Sequence, residues 1–384
     1  MNFNQVIERK HSGCFKYDAL KIIYGKEDII PLWVADMDFA VAPEITESLI
    51  KRIQHPIFGY NFPDHDFHAS IRKWIQKRYN WDTVGQKVIN VPSIMTALAI
   101  AVLSQTKPGD SILIQTPVYP PFFSTIIEHS RNLLTNPLIS RNNTYEIDWD
   151  DFEHKAAQVK MFVLCNPHNP VSKVFSYDEL KKIHQICTKH EVMVFSDEIH
   201  ADIVFAPNKH QSIASFGGDN VITGISPAKS FNLAGLATAV MFAPDNKIGK
   251  TLNELNNSLH TFMGNSFGIT AFTAAYLKGE HWLEALLNYL KQNRDLVRDF
   301  FLEEIQSISM AECNGTYLAW LDCRELGLGD KELNNFFIQK ARLALNPGTS
   351  FGIEGTGFMR LNFATPRSVL LSALERIKQA LKDM

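Results

Sequence analysis

The stretch VKMFVLCNPHNPVSKVFSYDELKKIHQICTKHEVMVFSDEIH, residues 159–200, contains two short apolar runs separated by one helical pattern. The runs MFVLC and VMVF have the length and composition of buried strands. Between them, apolar residues recur at helical spacing from Leu180 to Cys187, and Ser176 with Glu179 forms a capping-box pattern at the start. Strand, helix and strand in this order predict two parallel neighbours in a sheet.

The same alternation extends outward from this stretch. Strand patterns (KVINV, DSILIQT, NVITGI and GLATAVMFA) and helical patterns (IMTALAIAVLSQ and FFSTIIEHS) occupy most of the chain between about residue 87 and residue 243. They predict an α/β protein with a mostly parallel sheet and helices on both faces.

A second region of alternation follows a long helical pattern after residue 250. It comprises GTYLAWLD, KELNNFFIQKAR, GFMRLNFATP and a last helix from Arg367. We predict a large domain over residues 46–280, a smaller α/β domain over residues 281–384, and an N-terminal segment, residues 1–45, that joins the smaller domain. Because no linker or repeat separates the parts, we expect a shared interface with a cleft.

The composition of the chain argues against some classes of partner. Among 384 residues, 38 Lys and Arg nearly balance 41 Asp and Glu, and the formal net charge is -3. No basic surface for nucleic acid or for an anionic membrane is indicated. The hydrophobic content of 45% can fill the cores of two domains. We expect a small molecule or a second copy of the chain as partner.

The first residues and the cysteines bear on location. Residues 1–10, MNFNQVIERK, lack an apolar signal segment, and the longest apolar stretch, residues 94–103, is too short to span a bilayer. We therefore predict a cytoplasmic protein. The five cysteines are odd in number and nowhere spaced as CxxC, so neither a disulfide framework nor a thiolate zinc site is predicted.

The residues that follow each predicted strand are candidates for a site, because ligands of open α/β sheets bind beyond the carboxyl ends of the strands. They are Ser93, Ile94 and Met95 after KVINV, Tyr119 after DSILIQT, Asn166, His168 and Asn169 after KMFVL, Asp197, Glu198 and His200 after EVMVF, and Ser226 and Lys229 after NVITGI. The free backbone amides at the helix start, residues 93–95, could hold a phosphate.

Lys229 stands between two predicted core strands, where an ammonium would lose several kcal/mol or so of solvation and would have a lowered pKa. Taken alone, it is better explained as a solvated loop lysine. Beside a phosphate cradle, an aromatic ring, the Asn169 amide and the Asp197 carboxylate, it predicts a site for pyridoxal phosphate. The lysine would bond to the aldehyde of that cofactor, and the carboxylate would keep the ring nitrogen protonated.

Six stretches spread over nearly the whole chain resemble the fold-type I pyridoxal-phosphate enzymes of the aspartate aminotransferase superfamily. They are PLWVADMDF, VYPPF, CNPHNP, SDEIHAD, SPAKSFNLAGL and MRLNFATPR. WVADMDF and DEIHAD are most similar to the MalY/PatB-type branch of cystathionine β-lyases, also called C–S lyases. The resemblance implies an aminotransferase-like fold with a large and a small domain, and a place in amino-acid metabolism, in methionine biosynthesis.

The resemblance also implies roles for individual residues. Lys229 would be the covalent attachment point, Asp197 the partner of the ring nitrogen, Tyr119 the stacking ring and Asn169 the donor to the phenolic oxygen. A further set completes the site: Ser226 and residues 93–95 on the phosphate, His200 near the cofactor, Tyr60 on the phosphate of a neighbouring subunit, and Arg360 on the substrate α-carboxylate, which its two-pronged donor geometry suits. Tyr60 thereby implies a homodimer with shared active sites.

The chain departs from the resemblance at one loop. Relatives usually have Gly-Arg-Val-Trp after HNP, whereas this chain has VSKVF, with Ser172, Lys173 and Phe175. The change bears on the shape of the loop after Asn169 and on substrate preference, and it leaves the cofactor set intact.

Several candidates have structural explanations as well. Asp197 could be a turn residue, His200 a structural histidine, Tyr119 and Tyr60 core aromatics, and Arg360 the partner of a structural carboxylate.

Two other patterns do not predict sites. One is the cluster of Asp64, His65, Asp66 and His68. No third ligand at a spacing typical of metal sites supports a metal site there, so we predict a polar loop and no metal. GIEGTGF, residues 352–358, lacks the strand, helix and distant acid of a dinucleotide site.

The resemblance predicts β-elimination from cystathionine or a related cysteine S-conjugate, with Lys229 as general base and a thiol, pyruvate and ammonia as products. An aminotransferase is the alternative, because it would use the same residues. A binding or regulatory protein that kept the fold without turnover is a third hypothesis, which the intact set of candidate residues opposes.

Overall fold

The computed structural model describes residues 1–63 and 65–384. The α-helices of this part of the chain are α1 (Phe15–Asp18), α2 (Leu20–Tyr24), α3 (Pro43–Gln54), α4 (His65–Tyr79), α5 (Ile94–Gln105), α6 (Pro121–Glu128), α7 (Trp149–Ala156), α8 (Tyr177–Lys189), α9 (Lys247–Ser258), α10 (Ser266–Lys278), α11 (Glu280–Glu304), α12 (Asp330–Asn335) and α13 (Arg367–Lys382).

The strands are β1 (Ile30–Pro31), β2 (Gln86–Val91), β3 (Ser111–Thr116), β4 (Asn132–Pro137), β5 (Ile139–Arg141), β6 (Thr144–Glu146), β7 (Met161–Cys165), β8 (Met193–Asp197), β9 (Val221–Ile225), β10 (Ala239–Pro244), β11 (Ser309–Met310), β12 (Leu318–Asp322), β13 (Leu343–Ala344), β14 (Asn346–Pro347) and β15 (Phe358–Asn362).

Seven strands form the main sheet, in the order β2-β10-β9-β8-β7-β3-β4. The pairs from β9 to β4 are parallel, and β10 is antiparallel to both of its neighbours. The unit β7, α8 and β8 lies at its centre, and α8 begins with the capping box of Ser176 and Glu179. The prediction of a mostly parallel α/β sheet is confirmed.

Both faces of this sheet are covered, which explains why β7, near its centre, is apolar at every position. Alternate residues of β7 point to opposite faces. Met161, Val163 and Cys165 belong to one core cluster, while Phe162 and Leu164 belong to another. The second of these clusters includes buried residues of α8, and the first includes those of α5. A strand buried on both faces is therefore a near-continuous apolar run, as is typical of parallel sheets.

A second, antiparallel sheet has the order β11-β12-β15-β14. Helices α11 and α13 pack against each other beside it, and α13 buries Leu370, Leu374 and Ile377 on one stripe. The N-terminal segment reaches this region because β1 pairs in parallel with β13. The domain boundaries given above stay a prediction.

Two of the sequence patterns have simple places in the fold. GIEGTGF, residues 352–358, connects β14 to β15 and ends on the first residue of β15. It contains the 3₁₀ segment Ile353–Gly355. Of the polar cluster, Asp64 lies outside the described residues, and His65 and Asp66 are exposed at the start of α4. None of the helices described here is both long and apolar enough to cross a membrane.

Candidate active site

The loops after β3, β7, β8 and β9 converge on one cavity of about 350 Å³ at the carboxyl edge of the main sheet. All but one of the residues to which the resemblance assigns a role line it: Ser93, Ile94, Met95, Tyr119, Asn169, Asp197, His200, Ser226, Lys229 and Arg360. The further candidates Asn166, His168 and Glu198 do not lie on its wall. A larger cleft, of about 850 Å³, lies elsewhere, with Arg294, Arg298 and Glu312 on its wall. The smaller cavity is therefore the one that gathers the predicted chemistry.

Lys229 follows β9, and its side chain lies at the centre of the cavity wall. Its Nζ donates a hydrogen bond of 2.7 Å to the carbonyl oxygen of Ala35. Burial, reinforced by the positive charge of Arg360 and opposed by Asp36 and Asp197, lowers the pKa of Lys229 to about 8. The amine is therefore partly unprotonated near neutral pH, as a nucleophile or a general base must be.

Asp197 ends β8 and is only 5% exposed. Its Oδ1 accepts a hydrogen bond of 3.0 Å from the backbone amide of Ile199, so the turn role considered above is also present. No lysine, arginine or histidine of the described residues lies within ion-pair distance of this carboxylate. Burial therefore raises the pKa of Asp197 to about 6, against the amide of Ile199 and the charge of Lys229.

Arg360 lies in the middle of β15 and is 4% exposed. One terminal nitrogen donates to Asn169 Oδ1 at 2.9 Å, and the other donates to Asn346 Oδ1 and to the carbonyl oxygen of Trp33, both at 2.7 Å. Burial lowers the pKa of Arg360 to about 10, so it stays charged at neutral pH. Since these partners are all neutral, its charge is uncompensated, unlike that of an arginine paired with a structural carboxylate.

Two ring side chains border the cavity. Tyr119 is partly buried, and burial together with the nearby Asp197 raises its pKa, so its hydroxyl is protonated. His200 is buried against the edge of the Tyr317 ring, with 5.9 Å between ring centroids. Burial, with Lys229 and Arg360 next in effect, puts the pKa of His200 well below its ordinary value. The imidazole is neutral, and within the described chain its Nδ1 has no hydrogen-bond partner.

The start of α5 provides the amides of the predicted phosphate cradle. Ser93 is the N-cap, and its hydroxyl accepts from the amide of Thr96 at 3.1 Å. Ser226 also lines the cavity, but its hydroxyl donates to the carbonyl oxygen of Thr238 at 2.8 Å and accepts from the amide of Ala228. The hydroxyl proton of Ser226 is thus already donated and is not available to a phosphate. The first backbone amides of α5 have no partner within the helix and can donate to one.

Of the residues to which the resemblance assigns a role, Tyr60 is the one that does not line the cavity. Its side chain is 95% exposed, on the loop between α3 and α4. It is not a core aromatic.

This arrangement agrees with a match over most of the chain. The family model described as aminotransferase class I and II matches residues 27–377. The chain belongs to this family. The resemblance seen in the sequence is thereby confirmed.

Three known proteins are similar to this chain over nearly its whole length. Cystathionine beta-lyase PatB of Bacillus subtilis (strain 168) is 38% identical over 99% of this chain and all of its own length. Cystalysin of Treponema denticola, whose crystal structure contains pyridoxal 5'-phosphate, is 33% identical, with a TM-score of 0.96 over 100% of this chain and 99% of its own. A PLP-bound C–S lyase of Staphylococcus hominis is 31% identical, with a TM-score of 0.93 over 99% and 98%.

The cavity fits pyridoxal phosphate, the cofactor found in those structures. The cofactor needs an amine for its aldehyde, an anion for its ring nitrogen and a phosphate site. Lys229 offers an amine of lowered pKa, and the amides at the start of α5 can hold a phosphate. The strongest sign of fit is Asp197, because a buried carboxylate without a cation is stable only if a ligand supplies one.

The pKa of Lys229 leads to a prediction for the cofactor-free protein. The rate at which Lys229 bonds to pyridoxal phosphate should rise with pH to a midpoint near 8, since only the unprotonated amine attacks an aldehyde. Borohydride reduction followed by peptide mass spectrometry would give this rate. For surface lysines in the same digest, the rate should rise to a midpoint at about pH 10.4. A shared midpoint for both would contradict the lowered pKa.

Sequence reasoning missed three residues that touch the predicted ones. Trp33 and Ala35 contribute backbone carbonyl oxygens, to Arg360 and Lys229 respectively, and a backbone acceptor leaves no signal in a side-chain pattern. Asn346 pairs with Arg360 across β14 and β15. The strand register between them could have indicated this contact, but only after the turn between the strands was known.

Proposed function

We propose that the protein is a pyridoxal-phosphate-dependent carbon–sulfur β-lyase that acts on cystathionine or a related cysteine S-conjugate. One observation carries the proposal. A single cavity brings together a lysine of lowered pKa, a buried carboxylate without a cation, and an arginine without an anion. Lysine and carboxylate are what the cofactor needs, and the arginine is what the α-carboxylate of an amino acid needs.

Four residues of the cavity have defined tasks in this reaction. Arg360 binds the substrate α-carboxylate, because the planar two-pronged donor geometry of its guanidinium matches the two carboxylate oxygens. Asp197 holds the ring nitrogen in its protonated form, Tyr119 covers the ring and Asn169 bonds to the phenolic oxygen. When bound, the cofactor supplies an aldehyde for covalent attachment and a ring that accepts the electron pair left at Cα.

Lys229 moves the proton that starts the elimination. Its amine takes the proton from Cα as general base. The bond between Cβ and sulfur then breaks, and the sulfur leaves with the electron pair and is protonated to a thiol. Water replaces the amine of the remaining three-carbon unit. One cystathionine and one water thus give one homocysteine, one pyruvate and one ammonia, with no oxidant or reductant.

The names of the relatives support a lyase over an aminotransferase. PatB is called a cystathionine beta-lyase, and the Staphylococcus hominis structure is that of a C–S lyase. The cytoplasmic location and the place in methionine biosynthesis stay predictions.

An assay without a keto acid tests the proposal. We expect the cofactor-loaded protein to convert L-cystathionine to pyruvate and homocysteine in equal amounts over many turnovers. An aminotransferase would stop after about one turnover, because it needs a keto acid to restore the cofactor. Turnover that appears only when a keto acid is added would replace the lyase by the aminotransferase. No turnover with either assay would favour a binding protein.

The proposal includes a homodimer in which Tyr60 reaches the phosphate of the neighbouring subunit. Tyr60 cannot serve its own cavity, whose wall does not include it. The same part of the chain, α3 and the loop after it, carries further exposed apolar side chains: Ile50, Ile53, Ile57, Phe58 and Phe62. An apolar surface of this kind is typical of a protein interface.

Subunit mixing tests the shared site. We expect Tyr60→Ala and Lys229→Ala to be nearly inactive alone at limiting cofactor, and a mixture refolded or exchanged in equal amounts to recover about a quarter of wild-type activity. In a hybrid dimer, one site combines intact Lys229 with the partner's intact Tyr60, and half of all dimers are hybrids. Mixing Lys229→Ala with Asp197→Asn, which belong to the same subunit's site, is the control. Recovery in the control, or none in the test, would contradict a shared site.

A further inference from the structure

The loop at which the chain departs from its relatives has an unusual backbone at Ser172. This residue is 1% exposed and has a φ of 58°, in the left-handed region that glycine favours. Its amide donates to the carbonyl oxygen of His168 at 2.7 Å, which closes the turn after Asn169. A serine in this conformation strains the backbone, so we expect its side chain to make contacts that offset the strain.

The hydroxyl of Ser172 closes a ring of hydrogen bonds with the segment that begins β12. Ser172 Oγ lies 2.6 Å from the carbonyl oxygen of Leu318 and 2.6 Å from Thr316 Oγ1. The amide of Leu318 donates to the same Thr316 Oγ1 at 3.1 Å. Since the carbonyl only accepts, Ser172 donates to Leu318 and Thr316 donates to Ser172. Each hydroxyl of this buried ring thereby donates one hydrogen bond and accepts one.

The backbone of the loop contacts the same segment. The carbonyl oxygen of Ser172 accepts from the amides of Asn314 and Gly315, each at 3.0 Å. The close packing of the chain at position 315 requires a glycine. A Cβ on Gly315 would lie 2.8 Å from a Val174 methyl and 3.0 Å from the backbone oxygen of Ile203. The loop after Asn169 and the start of β12 are therefore packed as one unit.

This unit is connected to the substrate-binding arginine at two points. Strand β12 pairs with β15, where Trp320 lies opposite Arg360. At the other end, Asn169, three residues before Ser172, accepts the hydrogen bond from Arg360. The Ser172 ring thus joins, away from solvent, two of the chain segments that contact Arg360: the Asn169 loop and strand β12.

We infer that Ser172 is a positioning residue: through its ring with Thr316 and Leu318 it fixes the Asn169 loop against β12 and so aims Arg360 at the substrate carboxylate. The inference rests on the proposed role of Arg360. Loss of the ring lets the loop and strand shift relative to each other, and a shift of about 1 Å is enough to weaken a bidentate grip.

Ser172→Gly is the informative variant, because glycine keeps the left-handed backbone without strain and removes the CH2OH side chain that closes the ring. We expect KM for the S-conjugate to rise about tenfold with kcat within about twofold, since a carboxylate grip acts equally in the ground and transition states. The Kd of 3-(methylthio)propionate, a carboxylate without an amine, should rise about tenfold on the cofactor-loaded protein by calorimetry. This binding measurement does not depend on elimination.

Matched variants separate positioning from general stability. Ser130→Gly changes an exposed serine with a φ of 63°, and should leave KM and the carboxylate Kd unchanged. Thr316→Ser keeps the ring and should resemble wild type, whereas Thr316→Ala should match Ser172→Gly, and the double variant should be no worse than either. Equal carboxylate Kd values for wild type and Ser172→Gly would overturn the inference and leave the lyase proposal standing. Wild type that binds the carboxylate but releases no pyruvate would overturn the lyase alone.

Discussion

The Lys229→Ala protein is expected to release pyruvate from cystathionine about 10³-fold more slowly than wild type, or slower still. A positioned general base contributes roughly 10² to 10⁴-fold, and this variant also loses the covalent anchor for the cofactor. The amine is the one described basic group in the cavity whose pKa, about 8, suits proton transfer near neutral pH. Arg360 stays protonated there, and the pKa of His200 is too low. Initial rates with lactate dehydrogenase coupling would measure the loss.

Two further measurements make the Lys229 prediction specific. Lys155→Ala is a matched control, because Lys155 is also partly buried, with its Nζ 2.6 Å from the carbonyl oxygen of Thr135 and 2.7 Å from Asp151. Its rate should stay within about twofold of wild type. Added ethylamine should restore part of the activity of Lys229→Ala, since a small amine fits the space of the lost side chain. Undiminished pyruvate release by Lys229→Ala would remove this lysine from the reaction.

The sequence could predict those parts of the fold and site that depend on local pattern. Helix α8 was recognisable because its apolar stripe and its capping box, Ser176 with Glu179, both lie within one short stretch. The cavity was recognisable because strands of a parallel sheet end at the same edge, so Asp197 at the end of β8 and Lys229 after β9 were expected to lie close together. The roles of the individual site residues stay predictions.

The contacts that the sequence could not predict depend on register and on backbone atoms. Asn346 meets Arg360 only because β14 and β15 pair at one register, which the turn between them sets. The carbonyl oxygen of Ala35 serves both Lys229 and the Tyr317 hydroxyl, and any residue type could supply it. Tertiary packing therefore decides these contacts, and local residue preference does not.

Ser172 shows a third limit. From the sequence, the change from glycine could be related only to the shape of the loop and to substrate preference. The structure keeps the left-handed backbone that a glycine would allow, and the serine adds a hydroxyl bond to a strand 146 residues away. Such a gain is not visible in a motif, because the partner atom is a main-chain carbonyl of another sheet.

Asp197→Asn is expected to lower the rate of pyruvate release by at least about 10²-fold in the cofactor-loaded protein. The amide has no charge to hold a proton on the ring nitrogen, and the loss of one electrostatic partner in a dry site costs about that factor. A cofactor analogue methylated at the ring nitrogen carries a permanent charge and should restore activity to Asp197→Asn more than to wild type. Asp202→Asn is the matched control: Asp202 is as buried, but it bonds to Trp74 and Arg78 away from the cavity.

Asp197→Asn, which should slow the reaction, should stabilise the cofactor-free protein. The pKa of about 6, against an ordinary 3.8, means that the folded state disfavours the ionised carboxyl group. The unfolded chain therefore releases this proton first, and the free energy of unfolding falls by about 3 kcal/mol as pH rises from below 4 through 6. The side-chain amide of the Asp197→Asn variant is neutral throughout, so without cofactor this variant should melt at a higher temperature than wild type at pH 8, with the difference shrinking towards pH 4. Asp202→Asn should melt lower at pH 8, because it leaves Arg78 without its buried partner. A variant at position 197 that is destabilised at pH 8 without cofactor would show that this carboxylate already has its cation within the chain.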